Sequence, residues 1–132
     1  MQEFTVETGG RTAFEDVTGE VQDAVAKLGL ADGAVVVFVP HTTAAVTINE
    51  GADPDVVRDL DMELAKIVPF EDGYRHAEGN SAAHIKASLF GSSVHVIVAG
   101  GRLQLGTWQK LWFCEFDGPR RRRVWVQPLQ AG

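Results

Sequence analysis

Residues 34–39 form the apolar run Ala34-Val35-Val36-Val37-Phe38-Val39, which ends at Pro40. An apolar run without polar alternation is typical of a strand buried on both faces, so the sequence predicts a rigid, central strand here. His41-Thr42-Thr43 follows, then a second predicted strand over residues 44–48, then Asn49-Glu50. Polar side chains held by rigid strands are well placed for a site. The alternative is that His41 is a hydrogen-bonded turn residue and that the threonines simply start a strand.

Three helices are predicted from the spacing of apolar residues. The first ends at Gly29, the second begins at Asp53-Pro54 and ends before Pro69, and the third covers residues 81–89. The polar loop 69–80 separates the second helix from the third. The positions expected to be buried are, in chain order, Val17, Val21, Val25 and Leu28; Val57, Leu60, Leu64 and Ile67; Ile85 and Leu89.

The rest of the chain predicts strands. One is expected over residues 4–7 and others over 94–98, 102–105, 109–117 and 121–128, with turns at Gly100-Gly101 and Asp117-Gly118-Pro119. Gly106 before a bulky aromatic suggests a bulge or a close backbone approach, with Trp108 as a core residue in the alternative interpretation. Two or three helices and six to eight strands, segregated along the chain, indicate one compact α+β domain over residues 1–132 with β-rich, sandwich-like sheets.

Composition narrows the class of protein. Twelve basic and eighteen acidic residues give a net charge of −6, which argues against a nucleic-acid or anionic-membrane binder. No apolar stretch is long enough to cross a bilayer, and the N-terminus lacks the pattern of a secretory signal. The single cysteine, Cys114, is expected to be a small buried hydrophobe rather than a nucleophile. We therefore expect a cytoplasmic protein.

The histidines and one basic run are the candidates for chemistry. His84 shares a helix face with Ser81 and Ser88, which fits a crevice but also a surface helix rich in alanine and serine. His76 lies in the polar loop, and His95 lies between valines, where packing is the simpler interpretation. No histidine stands in a short metal-binding motif, so spacing alone is a weak metal signal. Residues 120–123 are all arginine; they form either a phosphate clamp or ion pairs with Glu115 and Asp117.

A series of motifs, in this order, resembles the YjbQ-like family, whose members are called secondary thiamine-phosphate synthases. The resemblance covers essentially the whole chain. The motifs are His41-Thr42-Thr43-Ala44, Asn49-Glu50, His76 with Glu78-Gly79, His84-Ile85-Lys86-Ala87-Ser88, Gly101-Arg102, Gly106-Thr107-Trp108-Gln109 and Glu115-Phe116-Asp117-Gly118-Pro119-Arg120. The resemblance implies a ring-shaped homotrimer with polar clefts at the subunit boundaries. It also implies that the positions of His41, His76 and His84 gather in one metal or anion site.

On this basis we assign candidate roles. The catalytic candidates are His41, Glu50 and His84, and the metal candidates are His41, His76 and His84. The candidates for binding a phosphorylated small molecule are Thr42, Thr43, Asn49, Ser88, Thr107, Trp108, Gln109 and Arg120. A diphosphate substrate usually brings magnesium, which prefers oxygen ligands, whereas three imidazoles favour zinc or another transition metal.

Three functions follow from these candidates. The first is a synthase that joins hydroxymethylpyrimidine diphosphate to thiazole phosphate and releases pyrophosphate. The second is a metal-dependent hydrolase of a small metabolite, with Glu50 as proton acceptor. The third is a non-catalytic trimer that binds a metal or a phosphorylated ligand.

Overall fold

Eight strands and three helices make up the domain, and they belong to two antiparallel sheets. The computed structural model describes residues 1–129. The elements are β1 (Gln2–Glu7), β2 (Ala13–Asp16), α1 (Thr18–Leu28), β3 (Gly33–Phe38), β4 (Ala44–Glu50), α2 (Pro54–Ile67), α3 (Ser81–Phe90), β5 (Ser93–Ala99), β6 (Arg102–Leu103), β7 (Gln109–Glu115) and β8 (Arg121–Leu129). One sheet has the order β1-β8-β3-β5-β6 and the other β2-β7-β4. The predicted α+β class and single compact domain are confirmed.

The strand β3 is central, as predicted, but it is not buried on both faces. Val35 and Val37 are fully buried in the core between the two sheets. On the outer face, Phe38 is 36% exposed, because no element of residues 1–129 covers that side of the five-stranded sheet. The expectation of burial on both faces is therefore wrong for the single chain. Valine has a high strand propensity on either face, so a valine run alone does not distinguish a covered face from an open one.

The strand buried on both faces is β7, because the three-stranded sheet is the middle layer of the domain. Leu111 and Phe113 face the five-stranded sheet, where they join the main core. Cys114 and Phe116 face the other way, into a second core shared with α3 and Leu64. Cys114 is fully buried, and burial raises the pKa of its thiol above the ordinary value, as expected of a small hydrophobe.

The helices lie where the sequence places them, but the predicted buried stripe of α2 is only partly confirmed and that of α3 is wrong. The stripe of α1 is confirmed, with Val21 and Val25 fully buried and Gly29 ending the helix at φ +66°. The helix α2 begins as predicted, since the carboxylate of Asp53 accepts a hydrogen bond from the Asp55 amide at 2.9 Å. Of its predicted stripe, however, only Leu64 is buried, because little of the chain packs against that face.

The helix α3 packs through a different face from the predicted one. Ile85 is 38% exposed and Leu89 is 62% exposed, whereas Ala83 and Ala87 are buried against the three-stranded sheet. Small side chains allow the helix backbone to approach a sheet closely, and the larger ones therefore turn outward. This packing fixes which side of α3 His84 occupies.

The turns in the C-terminal third are partly as predicted. Gly100 and Gly101 both have positive φ, which suits a two-residue hairpin turn between β5 and β6. Gly106 lies in a turn rather than a bulge, since its carbonyl accepts a hydrogen bond from the Gln109 amide at 3.0 Å. Trp108 is 63% exposed and is not a core residue. In the described part of the chain no helix has the length and hydropathy needed to span a bilayer.

Candidate functional site

A polar cleft of about 460 Å³ lies where the loop after β3, the loop before α3, and the segment between β7 and β8 meet. Its lining comprises three histidines, two arginines, two threonines, two carboxylates, an amide and a proline. These are Pro40, His41, Thr42, Thr43, His76, Glu78, Asn80, His84, Asp117, Arg120 and Arg122. The three histidines expected to share a site therefore do line one cleft.

A buried ion pair forms the floor of the cleft. The Arg122 guanidinium donates through Nε and Nη2 to the two carboxylate oxygens of Glu115, the first at 2.8 Å, and both side chains are at least 95% buried. Thr8 Oγ1 donates to the same carboxylate at 2.8 Å, and Thr43 Oγ1 accepts from Arg122 Nη2 at 2.8 Å. Burial raises the pKa of Glu115, but hydrogen bonds from Arg122, the Asp117 amide and Thr8 outweigh it, so the net shift is downward.

A second ion pair stands at the rim. Arg120 donates from Nη2 to Asp117 Oδ2 at 2.8 Å, and Asn80 Nδ2 donates to the same oxygen at 2.9 Å. Asn80 is the residue before α3, so this link ties the start of that helix to the segment after β7. The oxygen of the Asn80 amide, Oδ1, is buried and has no hydrogen-bond partner among residues 1–129. The predicted ion pairs of the arginine run are thus present, and they line the cleft.

His41 is fixed against the edge of β8. Its Nε2 accepts a hydrogen bond from the Arg123 backbone amide at 2.9 Å. Burial lowers the pKa of His41, and the positive charges of Arg122 and Arg123 act in the same direction. Because Nε2 accepts the hydrogen bond of an amide N–H, it carries no proton, and the proton of the ring is on Nδ1. His41 is thus a hydrogen-bonded residue, as in the turn interpretation, and its ring also lines the cleft.

His76 and His84 form an adjacent pair in the lining of the cleft. Their ring centroids are 5.4 Å apart in an edge-to-face arrangement, and His76 Nε2 lies 3.9 Å from Glu78 Oε2. Two imidazoles bound to one tetrahedral zinc have centroids about 5 Å apart, given Zn–N bonds of about 2.0–2.1 Å. The separation of the two rings therefore matches that of two ligands of one zinc ion. Within residues 1–129 no three His, Cys, Asp or Glu side chains are arranged as a complete metal site.

Comparison with known proteins identifies the family. The family model described as UPF0047 protein YjbQ-like matches residues 2–131. The chain belongs to the YjbQ-like family. The UPF0047 protein YugU of Bacillus subtilis is 46% identical over 130 residues, which cover 98% of each chain. The UPF0047 protein YjbQ of Escherichia coli O157:H7 is 36% identical over 117 residues, which cover 84% of this chain and 85% of the relative.

Solved structures of YjbQ-like proteins share the fold. The crystal structure of a YjbQ/UPF0047 family protein from Clostridium acetobutylicum matches with a TM-score of 0.95 and 52% identity, covering 98% of this chain and 100% of that one. A conserved hypothetical protein from Thermus thermophilus matches with a TM-score of 0.91 and 42% identity, over 98% and 100% of the two chains.

In this YjbQ-like chain several of the candidate residues lie away from the cleft. Glu50 follows Thr43 by seven residues of strand, which places it roughly 20 Å along β4. There it pairs with Gln109 across β4 and β7, and the carbonyl of Trp108 accepts from the Gly51 amide at 2.8 Å. We call this second group the far-end set; it consists of Asn49, Glu50, Thr107, Trp108 and Gln109. One chain does not bring the far-end set to the histidines.

Ser88 lies beside the cleft. It shares a neighbouring recess of about 500 Å³ with His41, Thr42 and His84, and its hydroxyl donates to the His84 carbonyl at 2.9 Å. Lys86 instead lies on the buried side of α3, with Nζ 5.9 Å from the centre of the Phe116 ring. Ser88 is therefore near enough to contact a ligand that extends out of the cleft along α3.

Three polar residues of the cleft were not among the sequence-based site candidates: Glu78, Asn80 and Asp117. Arg122 was a candidate only as part of the arginine run, and strand alternation puts it on the same face as Arg120. Asn80 carried a usable signal, since it directly precedes a helix whose fourth residue is His84. Glu78 and Asp117 lie in irregular segments, where periodicity carries no information on direction.

Proposed function

We propose that this protein is a cytoplasmic enzyme resembling secondary thiamine-phosphate synthase and that the polar cleft binds the diphosphate of its substrate. The proposal rests on the hydrogen bonds that the guanidinium groups of Arg120 and Arg122 make. Nε and Nη2 of Arg120 and Arg122 are held by protein acceptors, whereas Nη1 of each donates no hydrogen bond within residues 1–129. A fixed arginine with a free donor is a preorganised phosphate contact.

The balance of charged side chains in the cleft supports a second part of the proposal, that a metal cation binds together with the diphosphate. Arg122 and Arg120 are neutralised by Glu115 and Asp117, and Glu78 adds one further carboxylate. The cleft therefore has no net positive charge of its own to offset a diphosphate. A divalent metal supplies that charge, and the imidazoles of His76 and His84 favour zinc or another transition metal over magnesium. Such an ion would be held by His76 and His84, with Glu78 beside them.

The proposed reaction is a substitution at the methylene carbon of the pyrimidine. The bond from this carbon to the diphosphate oxygen breaks, the thiazole nitrogen forms the new bond to carbon, and pyrophosphate leaves with the electron pair. The developing negative charge is on the leaving oxygens, so donors fixed around them lower the barrier. Nη1 of Arg120 and Arg122 take this role. The buried Glu115 carboxylate holds Arg122 in place, and Thr8 in turn donates a hydrogen bond to that carboxylate.

The test is synthesis of thiamine phosphate from the two precursors by purified protein, with and without added divalent metals. We expect product from the wild type and a loss of at least about 100-fold in Arg120→Ala/His84→Ala. Arg58→Ala is the matched control, since Arg58 is 81% exposed on α2 and pairs only with Asp55. No product above background with any divalent metal contradicts the synthase. Tight binding of the diphosphate without turnover supports the non-catalytic ligand-binding alternative.

The hydrolase alternative changes in one respect. It assigned the proton acceptor to Glu50, which belongs to the far-end set, whereas the carboxylate beside the histidine pair is Glu78, 3.9 Å from His76. Within one subunit, a hydrolase at this cleft would therefore use Glu78. Metal-dependent release of inorganic phosphate from a small phosphorylated metabolite, lost in Glu78→Gln but kept in Arg58→Ala, supports that function over the synthase.

The homotrimer is also part of the proposal. The outer face of the five-stranded sheet leaves apolar side chains uncovered, with Ile97 66% exposed and Leu129 45% exposed. On α2, Ile67 is 65% exposed. Exposed apolar groups clustered on a face are typical of subunit contacts. Light scattering should give three times the chain mass of 14.3 kDa, and Ile97→Asp should lower it.

A trimer with clefts between subunits would bring the far-end set of one subunit to the histidines of another. Subunit mixing tests this arrangement. His84→Ala and Trp108→Ala homotrimers should both be inactive, whereas trimers reassembled from the two should recover part of the activity, because some clefts then have both wild-type halves. Absence of recovery in mixed trimers of verified mass contradicts a shared site.

A further inference from the structure

The hydrogen bond to His41 fixes what that ring can offer a ligand. The donor is the Arg123 backbone amide and the acceptor is Nε2, at 2.9 Å. An amide N–H only donates, so Nε2 carries no proton and its lone pair is in use. The proton of the neutral ring is then on Nδ1, which has no lone pair in the plane of the ring. Neither nitrogen of His41 is free to bind a metal.

The other two histidines are different. Within residues 1–129 the rings of His76 and His84 make no hydrogen bond; their contacts are with each other and, for His76, with Glu78 at 3.9 Å. Their lone pairs are therefore available. The family resemblance implies three histidines around one ion. This geometry does not fit that set of ligands, because Nε2 of His41 already accepts a hydrogen bond from the Arg123 amide.

We propose that His41 is the fixed hydrogen-bond donor of the cleft, that its Nδ1–H binds an oxygen of a phosphate or diphosphate group, and that any metal belongs to His76 and His84 alone among the histidines. The phosphate ligand rests on the proposed function; the exclusion of His41 from the metal does not. The ring is suited to this role because a hydrogen bond from the β8 backbone fixes its orientation. It also lines both the cleft and the recess beside Ser88. Together with Nη1 of Arg120 and Arg122, it gives the cleft three donors from two separate chain segments.

The first test uses ¹⁵N-histidine labelling and long-range ¹H–¹⁵N spectra of the wild-type protein. We expect the His41 signal, assigned by its loss in His41→Asn, to show a protonated Nδ1 and an unprotonated Nε2. Addition of zinc should shift the signals of His76 and His84 and leave the His41 tautomer unchanged. A His41 ring protonated on Nε2, or one that zinc converts, overturns the assignment.

The second test measures zinc content and the affinity for inorganic pyrophosphate in four variants. His41→Ala should keep the zinc of the wild type and bind pyrophosphate about 10-fold or more weakly, the effect of one hydrogen bond to a charged group. His41→Asn, whose amide places an N–H near the position of Nδ1, should recover most of that affinity. His84→Ala should lose the zinc. Arg58→Ala, at an exposed residue of α2 that pairs only with Asp55, is the control and should keep both the zinc and the pyrophosphate affinity of the wild type.

The outcomes separate the two claims. Loss of zinc in folded His41→Ala overturns the exclusion of His41 from the metal. Unchanged pyrophosphate affinity in His41→Ala overturns the donor role, while the proposed function stands. A wild type that binds no pyrophosphate, with or without zinc, contradicts the proposed function and the donor role together, and the tautomer spectrum still decides the metal assignment.

Discussion

The buried pair of Arg122 and Glu115 gives the most quantitative prediction. Arg122→Met removes the cation and leaves the Glu115 carboxylate fully buried, with only the Thr8 hydroxyl and the Asp117 amide as donors. Removing one partner of a buried ion pair costs about 3–5 kcal/mol of unfolding free energy, because the remaining charge is uncompensated. The second change, Glu115→Gln, removes that charge. Its one amide oxygen can accept from the Asp117 amide, and its NH2 group can donate to Thr8 Oγ1, so both neighbours keep a partner.

The double variant Arg122→Met/Glu115→Gln should therefore be more stable than Arg122→Met by about 2–3 kcal/mol, although it lacks the ion pair. Urea unfolding at pH 7 and one fixed protein concentration measures this difference. Arg58→Met, on the exposed surface of α2, should change stability by less than about 0.5 kcal/mol. If the double variant is no more stable than Arg122→Met, the cost does not come from an uncompensated charge. Pyrophosphate affinity should stay low in the double variant, because Nη1 is absent.

Three further predictions concern the same part of the molecule. The pKa of Glu115 is lower in the folded protein than its unfolded value of about 4.3. This carboxyl therefore contributes stability above about pH 4.3, and the contribution is lost as the pH falls through the lower folded value. Urea unfolding between pH 6 and 3 should show that the unfolding free energy of Glu115→Gln falls less than that of the wild type. Gly118→Ala should cost about 1–3 kcal/mol in the same assay, because the new Cβ would lie 2.8 Å from Glu115 Cγ and 2.9 Å from Thr8 Oγ1, whereas Gly9→Ala, which meets nothing within 4 Å, should be near neutral. Cys114 should react with an aromatic disulfide reagent only in denaturant; rapid reaction of the native protein would contradict its burial.

The elements of the fold could be predicted from the sequence better than their exposed faces. Periodicity located α3 and the strand β3, and the glycines at 100 and 101 marked a hairpin turn. It did not show that the outer face of β3 is open, because apolar residues occur on both of its sides. The spacing of apolar residues also predicted that Ile85, rather than Ala83, lies on the buried side of α3. Hydropathy favours the larger residue, whereas close packing of a helix on a sheet favours the smaller one.

The candidate site was only partly predictable, for a reason of geometry. His41, His76, His84 and Arg120 come from three segments that the fold brings together, and the order of motifs pointed to each of them. Glu50 was assigned to the same site because it is near His41 in sequence. The strand β4 between them is extended, and it carries Glu50 to the far end of the sheet. Closeness in sequence across a strand is therefore a poor guide to closeness in space.

A crystal structure of the zinc-loaded protein with hydroxymethylpyrimidine diphosphate tests the central claim most directly. We predict the diphosphate in the polar cleft, with oxygens within hydrogen-bond distance of His41 Nδ1 and of Nη1 of Arg120 and Arg122, and zinc on His76 and His84. Zinc bound to His41, or a diphosphate bound elsewhere with the cleft left to solvent, would contradict it.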